Sequence, residues 1–214
     1  MTRIVYLHGF ASGPTSSKAR FFRQRLEAAG ACVDVPDLAD GDFEHLSISG
    51  QLDVVERAAK PRGYPEPVSL MGSSMGGYLA ALYAARHGEV CRLVLLAPAF
   101  GFARRWPERL GADQVAHWHS TGTIPIFHYG ENRIRKLSYG LLEDGARYED
   151  YPDFHQPALI FHGAHDDVVP AGYSREFAAT HPNAILELVD SGHDLLNALD
   201  FMAPRVEEFL LQPR

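Results

Sequence analysis

Short apolar runs recur along the chain, and most of them are followed by a longer amphipathic segment. Because polar and apolar residues do not alternate within the short runs, they are typical of strands buried on both faces. Strands are predicted at residues 4–8, 32–35, 68–71, 93–96, 159–162 and 185–189. Helices are predicted at residues 16–29, 49–59, 74–87, 172–180 and 204–211, the last with Pro204 in its first turn. This order predicts an α/β fold of about six mainly parallel strands with helices on both faces.

The composition limits what a chain of this kind can bind. Its 214 residues suit a single domain over residues 1–214, and 46% hydrophobic with 22% charged residues excludes a disordered or coiled-coil protein. The net charge of −7 disfavours a phosphate backbone, so no nucleic-acid partner is expected. No apolar stretch approaches the ~20 residues that span a bilayer, and no signal peptide is recognised before the first strand. Cys32 and Cys91 are expected to be buried free thiols, which favours a cytoplasmic setting.

Residues 100–155 interrupt the alternation, since they contain no run typical of a strand in the main sheet. They hold ten of the 23 aromatic residues and both tryptophans, Trp106 and Trp118. The Gly-Glu-Asn sequence at residues 130–132 predicts the turn of a hairpin. An insert of this length beside the sheet predicts a lid-like cap whose two tryptophans contact a substrate, with a packing appendage or a dimer surface as the alternative.

The sequence Gly-Ser-Ser-Met-Gly at residues 72–76 lies between a predicted buried strand and a predicted helix. A serine centred between small residues in that context is typical of a tight, strained strand-to-helix turn, called the elbow below. The elbow exposes the serine hydroxyl above the positive end of the helix. Ser74 is at the centre of the pattern and Ser73 is beside it. The pattern therefore predicts Ser74 as a nucleophile, with a glycine-rich turn that performs no reaction as the alternative.

A serine hydroxyl needs a base to accept its proton, and the base needs a carboxylate to orient it. His193 follows the last predicted strand, and the adjacent residues Asp166 and Asp167 follow the strand before it. The carboxyl ends of parallel strands meet at one edge of a sheet, so these side chains are expected to lie near Ser74. The order serine, aspartate, histidine, each after its own strand, predicts a catalytic triad, and at this point either aspartate could serve.

From about Arg3 to Leu210 the chain resembles the α/β-hydrolases. The motifs that carry the resemblance are His8-Gly9, the Ser74 elbow, the Gly163 to Pro170 segment and Gly192-His193. The opening from Tyr6 to Ala19 is similar to that of the small bacterial YqiA-type esterases. In the family the acid lies three residues after the glycine of the third motif, so the resemblance implies Asp166 as the acid. The aromatic insert departs from the YqiA-type pattern, and the substrate therefore does not carry over.

The resemblance implies hydrolysis of a carboxylic ester or thioester through an acyl-enzyme, with Ser74 as nucleophile, His193 as base and Asp166 as acid. The backbone N–H groups of Met75 and Phe10 are expected to form the oxyanion hole. His8 is expected to shape the loop around Phe10. The aromatic insert favours a small-molecule substrate with an apolar acyl group. This chemistry requires no metal and no organic cofactor.

Other readings remain open on sequence alone. The same triad serves acyl transfer and carbon–carbon bond cleavage, and a non-catalytic binding module can share the fold. The histidines and carboxylates around residues 162–167 and 193–194 resemble a metal-ligand set, although the triad already accounts for Asp166 and His193. Basic residues of the insert either contact an anionic substrate or form a solvated face. They are Arg104, Arg105, Arg133, Arg135 and Lys136.

Overall fold

The computed structural model describes residues 2–61, 63 and 66–212. Its strands are β1 (Arg3–Leu7), β2 (Cys32–Asp34), β3 (Val68–Ser73), β4 (Val90–Leu96), β5 (Thr123–His128), β6 (Arg133–Ser138), β7 (Ala158–Gly163) and β8 (Ala184–Val189). Six of them form one sheet in the order β2-β1-β3-β4-β7-β8, and every pair of neighbours is parallel. The prediction of six mainly parallel strands is therefore confirmed.

Helices cover both faces of this sheet. They are α1 (Ser17–Ala28), α2 (Ile48–Ala59), α3 (Met75–Ala84), α4 (Phe102–Leu110), α5 (Ala112–Thr121), α6 (Gly140–Gly145), α7 (Gly172–Thr180) and α8 (Leu199–Leu211), with a 3₁₀ turn at Leu196–Ala198. The sheet divides the hydrophobic core into two parts. One contains residues of α2, α3 and the insert, and the other contains residues of α1 and α8. None of the helices in the described part of the chain combines the length and apolar character needed to cross a bilayer.

Burial along the strands follows their place in the sheet. Every residue of β3 and β7 is buried, as expected for inner strands covered on both faces. The edge strand β2 is only three residues long, and Cys32 within it is exposed while Cys91 is half-buried. Both cysteines are free, but the prediction that both are buried is wrong, because an edge strand leaves residues open to solvent.

Two helix boundaries differ from the sequence prediction by more than one residue. The helix after the elbow ends at Ala84, where residues 85–86 turn away, rather than at residue 87. The C-terminal helix α8 begins at Leu199, so Pro204 lies in its interior rather than in its first turn. Proline removes one i→i−4 hydrogen bond, which disfavours but does not prevent this position. Packing of Met202 and Val206 in the core stabilises the helix around it.

The insert at residues 100–155 contains α4, α5, the β5–β6 hairpin and α6. β5 and β6 pair only with each other in an antiparallel register, which confirms the predicted hairpin and its separation from the main sheet. Ile124 and Ile126 on one face of the hairpin pack against the core. Phe127 and Ile134, which are cross-strand partners, are exposed on the other face.

Candidate active site

Ser74 lies at the junction of β3 and α3 with φ 54° and ψ −115°, a backbone conformation that a non-glycine residue rarely adopts. The small residues on either side make this turn possible. A Cβ atom on Gly72 would lie 2.2 Å from the carbonyl oxygen of Gly76, and one on Gly76 would lie 2.1 Å from that of Leu7. The elbow is therefore folded tightly against itself and against the end of β1, as the sequence pattern predicts.

The loops after three strands bring Ser74, Asp166 and His193 together. The Oγ atom of Ser74 lies 3.0 Å from Nε2 of His193, and Nδ1 of His193 lies 2.7 Å from Oδ2 of Asp166. Because the carboxylate is an acceptor, Nδ1 carries the hydrogen and Nε2 is free to accept from the serine hydroxyl. This tautomer is the one that general-base removal of the serine proton requires.

The carboxylate of Asp166 is held by the loop after β7, residues 164–171, which we call the acid loop. Its Oδ1 atom accepts hydrogen bonds from the backbone N–H groups of Val168 at 2.9 Å and Val169 at 2.7 Å. Burial alone would raise the pKa of Asp166, but hydrogen bonds from His162 and His193 hold it well below its usual range. Asp166 is buried and directed at His193, whereas the neighbouring Asp167 is exposed.

The loop that carries Asp166 and the loop that carries His193 approach each other closely. A Cβ atom on Gly163 would lie 2.3 Å from the carbonyl oxygen of Gly192, so only glycine fits where the acid loop meets the loop that carries His193. The backbone N–H of His165 also donates to the carbonyl of Ser191 at 3.0 Å. The first contact gives a structural reason for Gly163 in the third motif noted in the sequence.

The N–H groups of Phe10 and Met75 form no hydrogen bond within the described part of the chain. Met75 is the first residue of α3, so its N–H is one of the donors that a helix leaves unpaired. Phe10 belongs to the loop after β1, residues 8–16, called the β1 loop here. A Cβ atom on the preceding residue, Gly9, would lie 3.6 Å from Cβ of Ser74, so this loop runs beside Ser74.

The ring of His8 holds the β1 loop in place through hydrogen bonds and is not directed at Ser74. Its Nε2 atom accepts from the N–H of Leu38 at 3.1 Å, and its Nδ1 atom lies 3.0 Å from the carbonyl oxygen of Gly9. The side chain is buried, and burial lowers the pKa of His8. A neutral ring that bridges two loops agrees with the predicted shaping role.

The chain matches the uncharacterised protein family UPF0227 over residues 3–209. It belongs to this family. The predicted resemblance to the YqiA-type proteins of the α/β-hydrolase superfamily is therefore confirmed.

Two relatives and one solved structure are similar to this UPF0227 member. Monoacylglycerol lipase abhd6-B from Xenopus laevis is 30% identical over 217 residues, which are 94% of this chain and 58% of that protein. Monoacylglycerol lipase ABHD6 from Bos taurus is 33% identical over 103 residues, 45% of this chain and 30% of that protein. The chain thus spans less than two thirds of the length of these relatives. The structure of alpha/beta hydrolase domain-containing protein 10 from mouse has a TM-score of 0.79 at 18% identity, covering 96% of this chain and 88% of that one, which shows the shared α/β-hydrolase fold.

The two tryptophans of the UPF0227 chain lie at different depths. Trp106 is half-buried, and its ring lies 5.2 Å from that of Phe10 and nearly perpendicular to it. Trp118 is fully buried, packs edge-on against Trp106 at 5.4 Å and donates its Nε1–H to the carbonyl of Leu137 at 3.0 Å. The prediction that Trp118 contacts a substrate does not agree with this burial. The ring of Trp118 is packed in the core and its N–H has a hydrogen-bond acceptor there. Trp118 therefore supports the ring of Trp106 from the core side.

Three arginines of the insert form hydrogen bonds or ion pairs within the protein. Arg105 is buried and donates to the carbonyl of Val168 in the acid loop at 2.7 Å, and Arg109 donates to the same carbonyl at 3.1 Å. Arg104 pairs with Asp150 at the surface. Of the two predicted alternatives for Arg105, neither a substrate contact nor a solvated face is correct. No local signal in the sequence identifies this contact, since it joins residues 63 positions apart.

Two buried residues next to Asp166 were not assigned a catalytic role from the sequence. His162 in β7 lies 3.2 Å from Oδ2 of Asp166, and Ser174 in α7 lies 2.7 Å from the other ring nitrogen of His162. Among the residues that the structure describes, no cluster of three histidine, cysteine, aspartate or glutamate side chains could hold a metal ion.

Proposed function

We propose that this protein is a serine hydrolase that cleaves carboxylic esters or thioesters with apolar acyl groups. The observation that carries the proposal is the continuous hydrogen-bond chain from Ser74 through His193 to Asp166, with distances of 3.0 and 2.7 Å. The names of the relatives, which are lipases of monoacylglycerols, support an ester as the substrate.

In the proposed reaction the Oγ atom of Ser74 attacks the carbonyl carbon of the ester, and the hydroxyl proton moves to Nε2 of His193. The N–H groups of Phe10 and Met75 donate hydrogen bonds to the oxyanion that forms. When the bond to the leaving group breaks, His193 returns the proton to the leaving oxygen or sulfur. Asp166 remains ionised and stabilises the imidazolium throughout. A water molecule then attacks the acyl-enzyme by the same sequence of proton transfers and releases the acid.

The aromatic residues beside the β1 loop support an apolar acyl group. Trp106 is half-exposed and contacts Phe10, and Phe10 also lies 5.7 Å from the ring of Phe43. An acyl chain that lay along this aromatic surface would lose contact with water. Burial of one methylene contributes about 0.8 kcal/mol, so each added methylene should raise kcat/KM about fourfold until the surface is filled.

The experiment that tests the proposal is labelling by a fluorophosphonate, which reacts with activated serines. The wild-type protein should be labelled and should hydrolyse a panel of esters and thioesters. Ser74→Ala should lose both properties while its circular dichroism spectrum is unchanged. Ser73→Ala is the matched control, because Ser73 is the adjacent hydroxyl and is buried in β3. Labelling that persists in Ser74→Ala and disappears in Ser73→Ala would contradict the assignment of the nucleophile.

A further inference from the structure

His162 approaches Asp166 from a different direction than His193 does. Its side chain is completely buried in β7, and its Nε2 atom lies 2.7 Å from the carbonyl oxygen of Val169 and 3.2 Å from Oδ2 of Asp166. A carbonyl oxygen and a carboxylate are both acceptors, so Nε2 of His162 must carry the hydrogen. This N–H is therefore directed at the acid loop and at the carboxylate within it.

The opposite nitrogen of the same ring meets Ser174. Nδ1 of His162 lies 2.7 Å from Oγ of Ser174, which is completely buried in the first turn of α7. With the hydrogen on Nε2, the neutral ring has an acceptor at Nδ1, and the Ser174 hydroxyl can donate to it. The acceptors at Nε2 set the tautomer, and the Ser174 hydroxyl completes it by donating to Nδ1, which fixes the ring orientation that directs an N–H at Asp166.

Both oxygens of Asp166 consequently have hydrogen-bond donors close to them. Oδ1 accepts the N–H groups of Val168 and Val169, and Oδ2 lies near the ring nitrogens of both His193 and His162. Two more distant cations also act on the carboxylate through their charge, Lys18 in α1 and Arg105 in α4. A carboxylate bound in this way cannot rotate about its Cβ–Cγ bond without losing hydrogen bonds, which are costly to leave unmade in a buried site.

We propose that His162 and Ser174 are positioning residues for the acid of the triad: Ser174 holds the ring of His162 through its hydrogen bond to Nδ1, and His162 holds Oδ2 of Asp166 in the orientation that receives the N–H of His193. Neither residue touches the reacting atoms, and both act through Asp166. The proposal deepens the proposed hydrolase function and rests on it. It predicts that the donor at the position of Nε2, rather than the imidazole ring itself, is what the site requires.

Three variants separate this role from simple core packing. His162→Gln keeps an N–H donor at a similar distance from the backbone, while His162→Met fills a similar volume without a donor. Ser174→Ala retains the His162 ring but removes the hydroxyl that orients it. We expect kcat to fall by about tenfold in His162→Met with a smaller change in KM, and to recover largely in His162→Gln.

The pH profile distinguishes positioning from a loss of packing. Without the donor from His162, the charge on Asp166 is less dispersed and favours the imidazolium form of the base more strongly. The base must be neutral to accept the Ser74 proton, so the acidic limb of kcat/KM should move to higher pH, by ~0.5 or more in His162→Met and less in Ser174→Ala. A limb that is unshifted, or shifted to lower pH, in both variants would overturn the proposal.

A measurement without substrate keeps the result independent of the proposed function. The proton between His193 and Asp166 should give a far-downfield ¹H NMR resonance in the wild-type protein and in His162→Gln, and it should be displaced in Ser174→Ala. If His162→Met does not fold, Ser174→Ala provides the decisive comparison, and an unchanged resonance there overturns the proposal. If the wild-type protein hydrolyses no ester, the proposed function fails, while the resonance still reports whether His162 orients Asp166.

Discussion

The main sheet and the insert contribute to the candidate site in different ways. The loops after β3, β7 and β8 supply Ser74, Asp166 and His193, and their positions depend on glycines close to them in the chain. The insert supplies none of these three residues. It contacts the loops that carry the site, through the bond of Arg105 to the carbonyl of Val168 and through the N–H of Tyr129, which donates to the carbonyl of Ala11 at 2.8 Å.

The insert is fastened to the rest of the protein at other points as well. The carboxylate of Asp144 accepts from both the backbone N–H and the hydroxyl of Ser49 at 2.7 Å each, which joins α6 to the start of α2. The insert therefore forms hydrogen bonds with the acid loop, the β1 loop and helix α2. In the proposed site the loops of the sheet carry the candidate reacting groups, whereas the insert contacts those loops and carries aromatic side chains beside them. Four experiments test this division.

The largest effect on kcat should come from substitution of Asp166, the proposed acid, in the loop after β7. Asp166→Asn is expected to lower kcat by about 10⁴-fold, because the neutral amide no longer holds His193 in the required tautomer. Asp167→Asn is the matched control, since this neighbour is exposed, and it should stay within a few-fold of wild type. Steady-state kinetics on a short-chain ester measures both. Equal losses in the two variants would mean that the acid loop, rather than one carboxylate, is what the substitution disturbs.

Removal of the hydrogen bond between the insert and the acid loop should have the next largest effect. Arg105→Met removes the donor to the Val168 carbonyl while it retains an apolar side chain against the loop. We expect kcat to fall about tenfold, because the backbone N–H groups that hold Asp166 become less fixed. Arg104→Met removes only a surface ion pair with Asp150 and should change kcat less than twofold. Wild-type kinetics in Arg105→Met would show that the sheet alone orders the acid loop.

The aromatic surface should affect selectivity more than turnover. Trp106→Ala is expected to reduce the ratio of kcat/KM for hexanoyl and acetyl esters by about fourfold, the contribution of one buried methylene. Trp118→Phe keeps a ring behind Trp106 and serves as the control, with a ratio close to wild type. The outcome that contradicts this role for Trp106 is an unchanged ratio together with equal cleavage of the two esters. The insert would then be a structural appendage or an oligomer contact.

The smallest expected effect is on the pH dependence of the free energy of unfolding. The pKa of Asp166 in the folded protein is depressed below the ordinary value of 3.8 in spite of burial, because hydrogen bonds from His162 and His193 favour the carboxylate. Its ionised form therefore stabilises the fold above the unfolded-state pKa, and this contribution is lost as the pH falls through the folded-state pKa. The difference in the free energy of urea unfolding between wild type and Asp166→Asn should be level from about pH 7 to about pH 5 and should narrow between about pH 5 and about pH 3. A difference that is constant over this range would indicate that the carboxylate contributes no such linkage.

Much of the fold was predictable because its signals are local. The inner strands β3 and β7 are apolar without alternation, and the hairpin of the insert has a turn sequence at its tip. The elbow was equally predictable, since Gly72 and Gly76 are close in the chain to the serine that they accommodate. The helix boundaries near Ala84 and Pro204 were less predictable, because packing rather than propensity determines where those helices end or begin.

The sequence by itself therefore determined the α/β order, the strained position of Ser74 and the loops that carry Asp166 and His193. Only the tertiary structure decided that Trp118 is buried behind Trp106, that Arg105 binds the acid loop, and that His162 and Ser174 adjoin the acid. The physical reason is the range of the interactions. Periodicity and tight turns are properties of neighbouring residues, whereas burial and hydrogen bonds between distant segments depend on how the insert packs against the sheet.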